Sequence, residues 1–414
     1  MSVYRYSDGE LHVEGAALSR IAAQFGTPCY VYSRAALTQA YSAFDSAFAN
    51  REHLVCYAVK ANSNLAVLDL FARLGSGFDI VSGGELQRVL AAGGDARKVV
   101  FSGVGKSEKE IRAALQAQIL CFNVESESEL LRLDRIAGEL GMRAPVSLRV
   151  NPDIDAGTHP YIATGLKQNK FGIPYAEAFA LYGKARALAH TTITGVDCHI
   201  GSQLTDIRPI VAALEKIADL VDRLEAAGIV LSHLDVGGGV GIRYEKESPP
   251  TVEEYARAVM GVFARGPQKL LFEPGRLLTG NAGLLLTRVE YVKRAEDRNF
   301  AVVDAAMNDL LRPALYEAWH EVLPARRSGV PDTYDIVGPV CETGDFLARN
   351  RRIALSEGEL LAIMSAGAYG ISMASNYNSR PRAAEVMVDG ETLHLVRERE
   401  EFRDLIAREH RLPS

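Results

Sequence analysis

Residues 54–62 read Leu-Val-Cys-Tyr-Ala-Val-Lys-Ala-Asn, an apolar and β-branched run that ends abruptly in Lys60. Such a run predicts a buried strand carrying an amine at its carboxyl end. Burial strips water from the ammonium and lowers the lysine pKa, which suits a nucleophile that forms a Schiff base with a carbonyl compound. A lysine at a strand end also simply marks where a strand surfaces, so the assignment depends on what accompanies it. Four polar clusters do: Asp79 with Ser82, Gly83, Gly84 and Glu85; His199 with Gly201 and Ser202; Gly237, Gly238 and Gly239; and Glu273, Pro274, Gly275 and Arg276. Consecutive glycines let backbone N–H groups approach an anion without Cβ interference, beside Ser202 and Gly275. A fifth cluster, Cys341 next to Glu342, sets a thiol and a carboxylate in a Gly/Pro/Thr-rich segment.

Eight short apolar runs position the first four clusters: 54–59, 78–81, 99–102, 120–124, 146–150, 194–199, 234–236 and 270–272. Helical patterns separate them. Ser107 with Glu110 and Ser126 with Glu129 have capping-box spacing, and Ile210, Leu214, Ile217, Val221 and Leu224 mark one helix face that stops at Gly228. Strand and helix alternating eight times over about 250 residues predict an α/β fold, a (β/α)8 barrel. The alternative is a doubly wound sheet, whose dinucleotide fingerprint is missing after the first strand. In a barrel, chemistry gathers at the carboxyl ends of the strands, and all four clusters fall there. The barrel is expected over 28–283. From about residue 284 the rhythm becomes short alternating runs at 300–303, 334–337, 360–364, 384–388 and 392–396, with Val289, Tyr291 and Lys293 on one strand face. These predict a second, antiparallel β domain built from 1–27 and 284–414, including a helix with Leu18, Ile21, Ala22 and Phe25 inward. The charged stretch 397–411 reads as a solvated helix packed by Phe402, Leu405 and Ile406.

Composition narrows the class of partner. With 414 residues the chain exceeds what one core supports, and a net charge of −6 with scattered basic residues argues against a nucleic-acid or anionic membrane face. A small molecule is the expected partner. No apolar run approaches the roughly 20 residues of a membrane helix, and the first residues lack a signal-peptide core, so a cytoplasmic location is expected. Five well-separated cysteines without a Cys-x-x-Cys pair read as thiols, and no metal is expected. On this frame Glu273 opposite a pyridine nitrogen such as that of pyridoxal phosphate would keep that nitrogen protonated and the ring an electron sink, and His199 could stack on the ring.

The motifs then carry a resemblance. Tyr-Ala-Val-Lys-Ala-Asn (57–62), Ser-Gly-Gly-Glu (82–85), His-Pro-Tyr-Ile-Ala-Thr-Gly (159–165), Asn-Lys-Phe-Gly (169–172), His-Ile-Gly-Ser-Gln (199–203), Gly-Gly-Gly (237–239), Glu-Pro-Gly-Arg (273–276), Arg-Pro-Ala-Leu-Tyr (312–316), Cys-Glu-Thr-Gly-Asp (341–345) and Ala-Tyr-Gly (368–370) follow one another along nearly the whole chain. In these the chain resembles the diaminopimelate decarboxylase family, of the alanine-racemase-like barrel class of pyridoxal-phosphate enzymes. The resemblance implies Lys60 as the cofactor lysine, Glu273 at the pyridine nitrogen and Cys341 as proton donor. It implies Ser202, Gly239, Gly275, Arg276 and Tyr369 around the phosphate, and Arg276, Arg312, Tyr316, Glu342 and Tyr369 around the substrate. Thr343 departs from the serine more common in the family. It further implies a homodimer in which 341–345 reaches a partner's barrel.

A racemase of this fold would, by the same resemblance, carry an arginine at the ring nitrogen, so Glu273 favours decarboxylation. A decarboxylase of ornithine, lysine or arginine needs only acidic residues at the distal end. Arg276 and Arg312 fit a distal carboxylate and Glu342 a distal ammonium, which selects meso-2,6-diaminopimelate and makes L-lysine the product. A non-catalytic cofactor-binding regulatory homologue is the third reading, against which Lys60, Glu273 and Cys341 weigh.

Overall fold

The computed structural model describes residues 3–155, 169–264, 266–327 and 329–413. It divides into two compact units, one of Ala40–Arg243 with Glu247–Leu278, the other of Met1–Gln39, Tyr244–Lys246 and Thr279–Ser414.

In the first unit eight parallel strands close a barrel: His53–Ala58, Gly77–Ile80, Val99–Phe101, Cys121–Val124, Ala144–Asn151, Thr191–Asp197, His233–Asp235 and Lys269–Phe272. Closure comes from the pairing of Lys269–Phe272 with His53–Ala58 and of Cys121–Val124 with Ala144–Asn151. All eight expected strands are present. They are largely buried on both faces because side chains fill the interior and helices cover the outside, as parallel sheets require. Leu54, Cys56, Val100, Cys121 and Leu271 make one interior cluster.

Caps set the helices that flank the rim. Ser107 and Glu110 form the expected capping box, and Thr251 with Glu254 forms another that the apolar pattern did not reveal. Ser126 caps its helix, but the Glu129 side chain turns elsewhere, accepting from the Glu125 N–H and pairing with Lys106. A buried lysine competes for that carboxylate more strongly than a backbone amide does. The helix Arg208–Ala226 buries all five expected positions.

The second unit contains a mixed sheet in the order Phe346–Ile353, Asp332–Val337, Asn299–Val303, Gly283–Arg294, Cys29–Ser33, Ala384–Asp389, Thr392–Arg397, with Leu360–Ile363 and Val322–Pro324 branching from it. It is rich in antiparallel pairs, but Asn299–Val303 with Asp332–Val337 and Cys29–Ser33 with Ala384–Asp389 are parallel. Cys29–Ser33 lies in this sheet and not in the barrel, where the expected 28–283 boundary put it. It is buried at every position, so its periodicity does not distinguish the two sheets. A bulge between Val289 and Tyr291 breaks the expected shared face, leaving Val289 buried and Tyr291 64% exposed. The core joins Leu18, Ile21, Val31, Leu284, Leu286 and Val386. The expected helix over 397–411 shrinks to Phe402–Ile406. Arg397 still belongs to a strand, and Glu400 is tied to Asn376 and Arg382 in extended chain; Phe402 and Ile406 are exposed. Among the described residues no helix is long and apolar enough to cross a membrane.

Candidate active site

Lys60 sits in a single turn, Val59–Ala61, directly after the first barrel strand. Its Nζ donates to Oδ2 of Asp79 at 2.8 Å. The carboxylate is fully buried in the second strand, whereas the lysine side chain is 37% exposed. The amine is therefore anchored from inside and accessible from the rim. On the same rim, burial pushes Glu85 up to about 7, and its carboxylate accepts from the Val81 N–H at 2.6 Å.

Below the rim lies an acidic floor. Carboxylate oxygens of Asp197, Asp235 and Glu273, all buried, approach within 4.8 Å of one another. Asn123 Nδ2 donates to Glu273 Oε1 at 3.2 Å, and the Ser102 hydroxyl to the same oxygen at 3.3 Å. Arg149 offers partial compensation, 3.7 Å from Asp197 and 3.0 Å from Glu125. Burial first, and then the neighbouring carboxylates, raise Glu273 and Asp197 well above the usual carboxylate range. Burial likewise pushes Asp235 up to about 6, against the Gly237 N–H that stabilises its charge. Asp79 Oδ1 and Asp197 Oδ1 are buried without a hydrogen-bond partner among the described residues. Such a floor would suit the cationic edge of a ligand, which would bring the counter-charge that these acids lack.

The three glycines act differently from the expected nest. The Gly237 N–H is taken by Asp235 Oδ1 at 2.9 Å and the Gly238 N–H by His199 Nδ1 at 3.1 Å. What demands glycine is close approach. A Cβ on Gly237, Gly238 or Gly239 would strike the carbonyl oxygens of Cys198, Glu273 and Gly201 respectively, and Gly237 and Gly239 have φ of 71° and 100°. The loop after strand seven is thus wedged between those after strands six and eight. An anion at this corner is left to Gly239, Gly275, Ser202 and Arg276, whose Nη2 donates to the Ser202 hydroxyl at 3.2 Å. Because His199 Nδ1 accepts, its proton belongs on Nε2. Burial, reinforced by Arg149 and Lys60, lowers its pKa well below the usual value, so it is a neutral, flat surface.

The second unit carries the remaining candidates. Arg312 and Tyr316 bound a five-residue helix, Arg312–Tyr316. Arg312 is buried, with its guanidinium 4.4 Å from the Tyr244 ring centroid. Tyr369 is half-buried at φ 56°. Cys341 and Glu342 lie on an exposed loop, and among the five free cysteines only Cys341 is exposed. Asn378 clamps that loop, its Oδ1 accepting from the Cys341 N–H at 2.9 Å, and the nearby Glu342 carboxylate raises the pKa of the adjacent Tyr377. Buried Asp345 anchors its far end through the N–H groups of Met307 and Val340.

Comparison with known proteins bears on this arrangement. The model of the pyridoxal binding domain of pyridoxal-dependent decarboxylases matches residues 34–280. The diaminopimelate decarboxylase of Pseudomonas aeruginosa is 60% identical over the full length of both chains, and that of Vibrio cholerae 57% over both. The chain belongs to the diaminopimelate decarboxylase family. Among solved structures, the Helicobacter pylori family member complexed with L-lysine is 43% identical with a TM-score of 0.92, covering 94% of this chain and 98% of that one. The diaminopimelate decarboxylase from m. jannaschi reaches a TM-score of 0.95 at 38% identity over 99% and 98% of the two chains. As a member of this family the chain is a pyridoxal-phosphate-dependent lyase.

Several residues of the site escaped the sequence reading. Asp197 and Asp235 end their strands and Asn123 sits inside another, all buried, and a polar side chain next to apolar neighbours in a buried run was the signal that marks them. Arg149 is another such residue. Asn378 and Tyr377 gave no such signal. Of the motifs, 169–172 is tied to the barrel by the Gly172 N–H on Glu125 Oε2 at 2.9 Å and by Arg149 over Phe171, while 159–165 falls outside the described residues.

Proposed function

We propose that this chain decarboxylates meso-2,6-diaminopimelate to L-lysine and CO2, the last step of lysine biosynthesis. The observation that carries the reading is the buried floor in which Asn123 and Ser102 hold Glu273 among other acids. Bound pyridoxal phosphate supplies an electron sink for the pair released when the Cα–carboxylate bond breaks. Lys60 would hold the cofactor covalently, with Asp79 steering its amine. Glu273 would keep a proton on the ring nitrogen, since a cation beside a buried carboxylate favours its charged form and is itself held protonated in return. Neutral His199 would lie against the ring face, and Ser202, Gly239, Gly275, Arg276 and Tyr369 would receive the phosphate. Arg276, Arg312 and Tyr316 would orient the substrate, with Glu342 on the distal ammonium. Cys341 would deliver a proton to Cα after CO2 departs.

The 28–283 segment would serve as the cofactor-binding part, allowing for Cys29–Ser33, and the remainder would contribute substrate and dimer contacts. The exposure of Cys341 and Glu342 supports a homodimer in which 341–345 completes a partner's site, in a cytoplasmic enzyme. Measuring CO2 release from meso-diaminopimelate, lysine, ornithine and arginine tests the substrate. Preference for any of the last three, or no release at all, sinks the reading. To test sharing, Lys60→Ala and Cys341→Ala chains are refolded together in equal amounts. Half the dimers are then mixed, each with one intact site, so activity returns to roughly a quarter of wild type. No recovery would mean sites built within one chain.

A further inference from the structure

Arg312 gains its orientation from a histidine to which no role has been given. Its Nη1 lies 2.8 Å from His320 Nε2, and His320 Nδ1 lies 2.8 Å from the Met364 carbonyl oxygen. His320 is fully buried and Arg312 nearly so. A guanidinium only donates and a carbonyl only accepts. Nε2 must therefore present its lone pair to Arg312, while Nδ1 carries the proton to Met364. The opposite tautomer sets N–H against N–H and a lone pair against the carbonyl; an imidazolium sets two buried cations together. The carbonyl itself is fixed, because Met364 directly follows the strand Leu360–Ile363 and its N–H bonds the Glu321 carbonyl at 2.8 Å. Tyr244 packs edge-on against the imidazole at 5.4 Å and lies beneath the guanidinium.

We infer that His320, held as the neutral Nδ1–H imidazole between Met364 and Arg312, is a positioning residue that aims the Arg312 fork and thereby sets preference for substrates ending in a carboxylate. This rests on the reading of Arg312 as the distal-carboxylate group. Fixing one Nη and the face of a planar fork fixes its whole direction, and bidentate recognition of a carboxylate depends on that direction more than on charge alone.

The test uses the holoenzyme. His320→Leu removes both contacts and is expected to raise KM for meso-diaminopimelate roughly 10- to 100-fold while kcat stays within about 3-fold, the pattern of lost ground-state binding. His320→Gln, whose carboxamide accepts from Nη1 and donates to Met364, should keep KM within about 3-fold of wild type. In an Arg312→Ala background, His320→Leu should add less than about 2-fold, since it acts only through Arg312. Nitrogen-15 histidine spectra of the wild type should show His320 protonated on Nδ1 alone. A proton on Nε2 overturns the inference even if the leucine variant fails to fold, as does an unchanged KM in His320→Leu when Arg312→Ala raises it. An unchanged KM in Arg312→Ala itself instead overturns the reading of Arg312 on which the inference stands.

Discussion

The two units hold their candidate chemistry in opposite ways. In the barrel, Lys60, His199 and Glu273 stand at strand ends, Lys60 on the buried Asp79 carboxylate and Glu273 among buried acids whose protonation is set by desolvation and by one another. In the β unit, Cys341 and Glu342 ride on an exposed loop, held by Asn378 and Asp345. One site is organised by electrostatics inside a rigid frame, the other by a few hydrogen bonds on a loop. Substitutions in the first should therefore change charge behaviour, and substitutions in the second should change geometry.

The largest expected effect is at Lys60. Lys60→Ala should abolish covalent fixation of the cofactor on borohydride reduction and lower turnover by roughly two to four orders of magnitude, the range for loss of a positioned proton-transfer group. Persisting fixation would mean that another lysine is the anchor and that the barrel side of the comparison is misread. Next comes Glu273→Gln, which keeps shape and hydrogen bonding but cannot hold a proton on the ring nitrogen. A fall in kcat of about 10²- to 10³-fold is expected, as for loss of one preorganised electrostatic group; a turnover within a few-fold of wild type would remove the floor from the chemistry.

The floor also makes a stability claim that the loop does not. Folding raises Asp235 to about 6, above the roughly 3.9 of an unfolded aspartate. Its contribution is then full below about pH 4 and lost as pH rises through 6. Asp235→Asn, which preserves the acceptor for Gly237, should match the wild type near pH 4. In the cofactor-free protein it should be more stable near pH 8 by something of the order of 3 kcal/mol. Urea unfolding at the two pH values measures it, and an equal difference at both would mean that Asp235 stays ionised throughout.

The smallest effect belongs to the loop. Asn378 has φ 56°, a conformation that glycine also adopts freely, so Asn378→Gly removes the acceptor without strain. Faster hydrogen exchange at the Cys341 amide and a roughly 10-fold fall in kcat are expected, within the contribution of one positioned proton donor. Asn378→Asp should restore both. Unchanged exchange in the glycine variant would show that the clamp does not hold the loop.

Much of this was legible in the sequence because barrel strands are local. Each of the eight apolar runs announces itself within six or so residues, and the polar residue that ends it must fall on the rim, since strand direction is the same throughout. Lys60, His199, Glu273 and the glycines were placed at strand ends that way, while Cys341 was singled out by its Gly/Pro/Thr-rich neighbours. What only the tertiary structure decided are relations between residues far apart. Cys29–Ser33 is as apolar as a barrel strand but finds its partners at Gly283–Leu286 and Ala384–Val388. The glycine run looked like an anion nest until the neighbouring loops were seen to occupy two of its N–H groups and to crowd out any Cβ. Asp197, Asp235 and Glu273 share a floor because barrel closure converges their strands, and His320 owes its tautomer to a carbonyl 44 residues away. Periodicity specifies which face of an element is apolar; hydrogen-bond partners and proton positions depend on what lies across the fold.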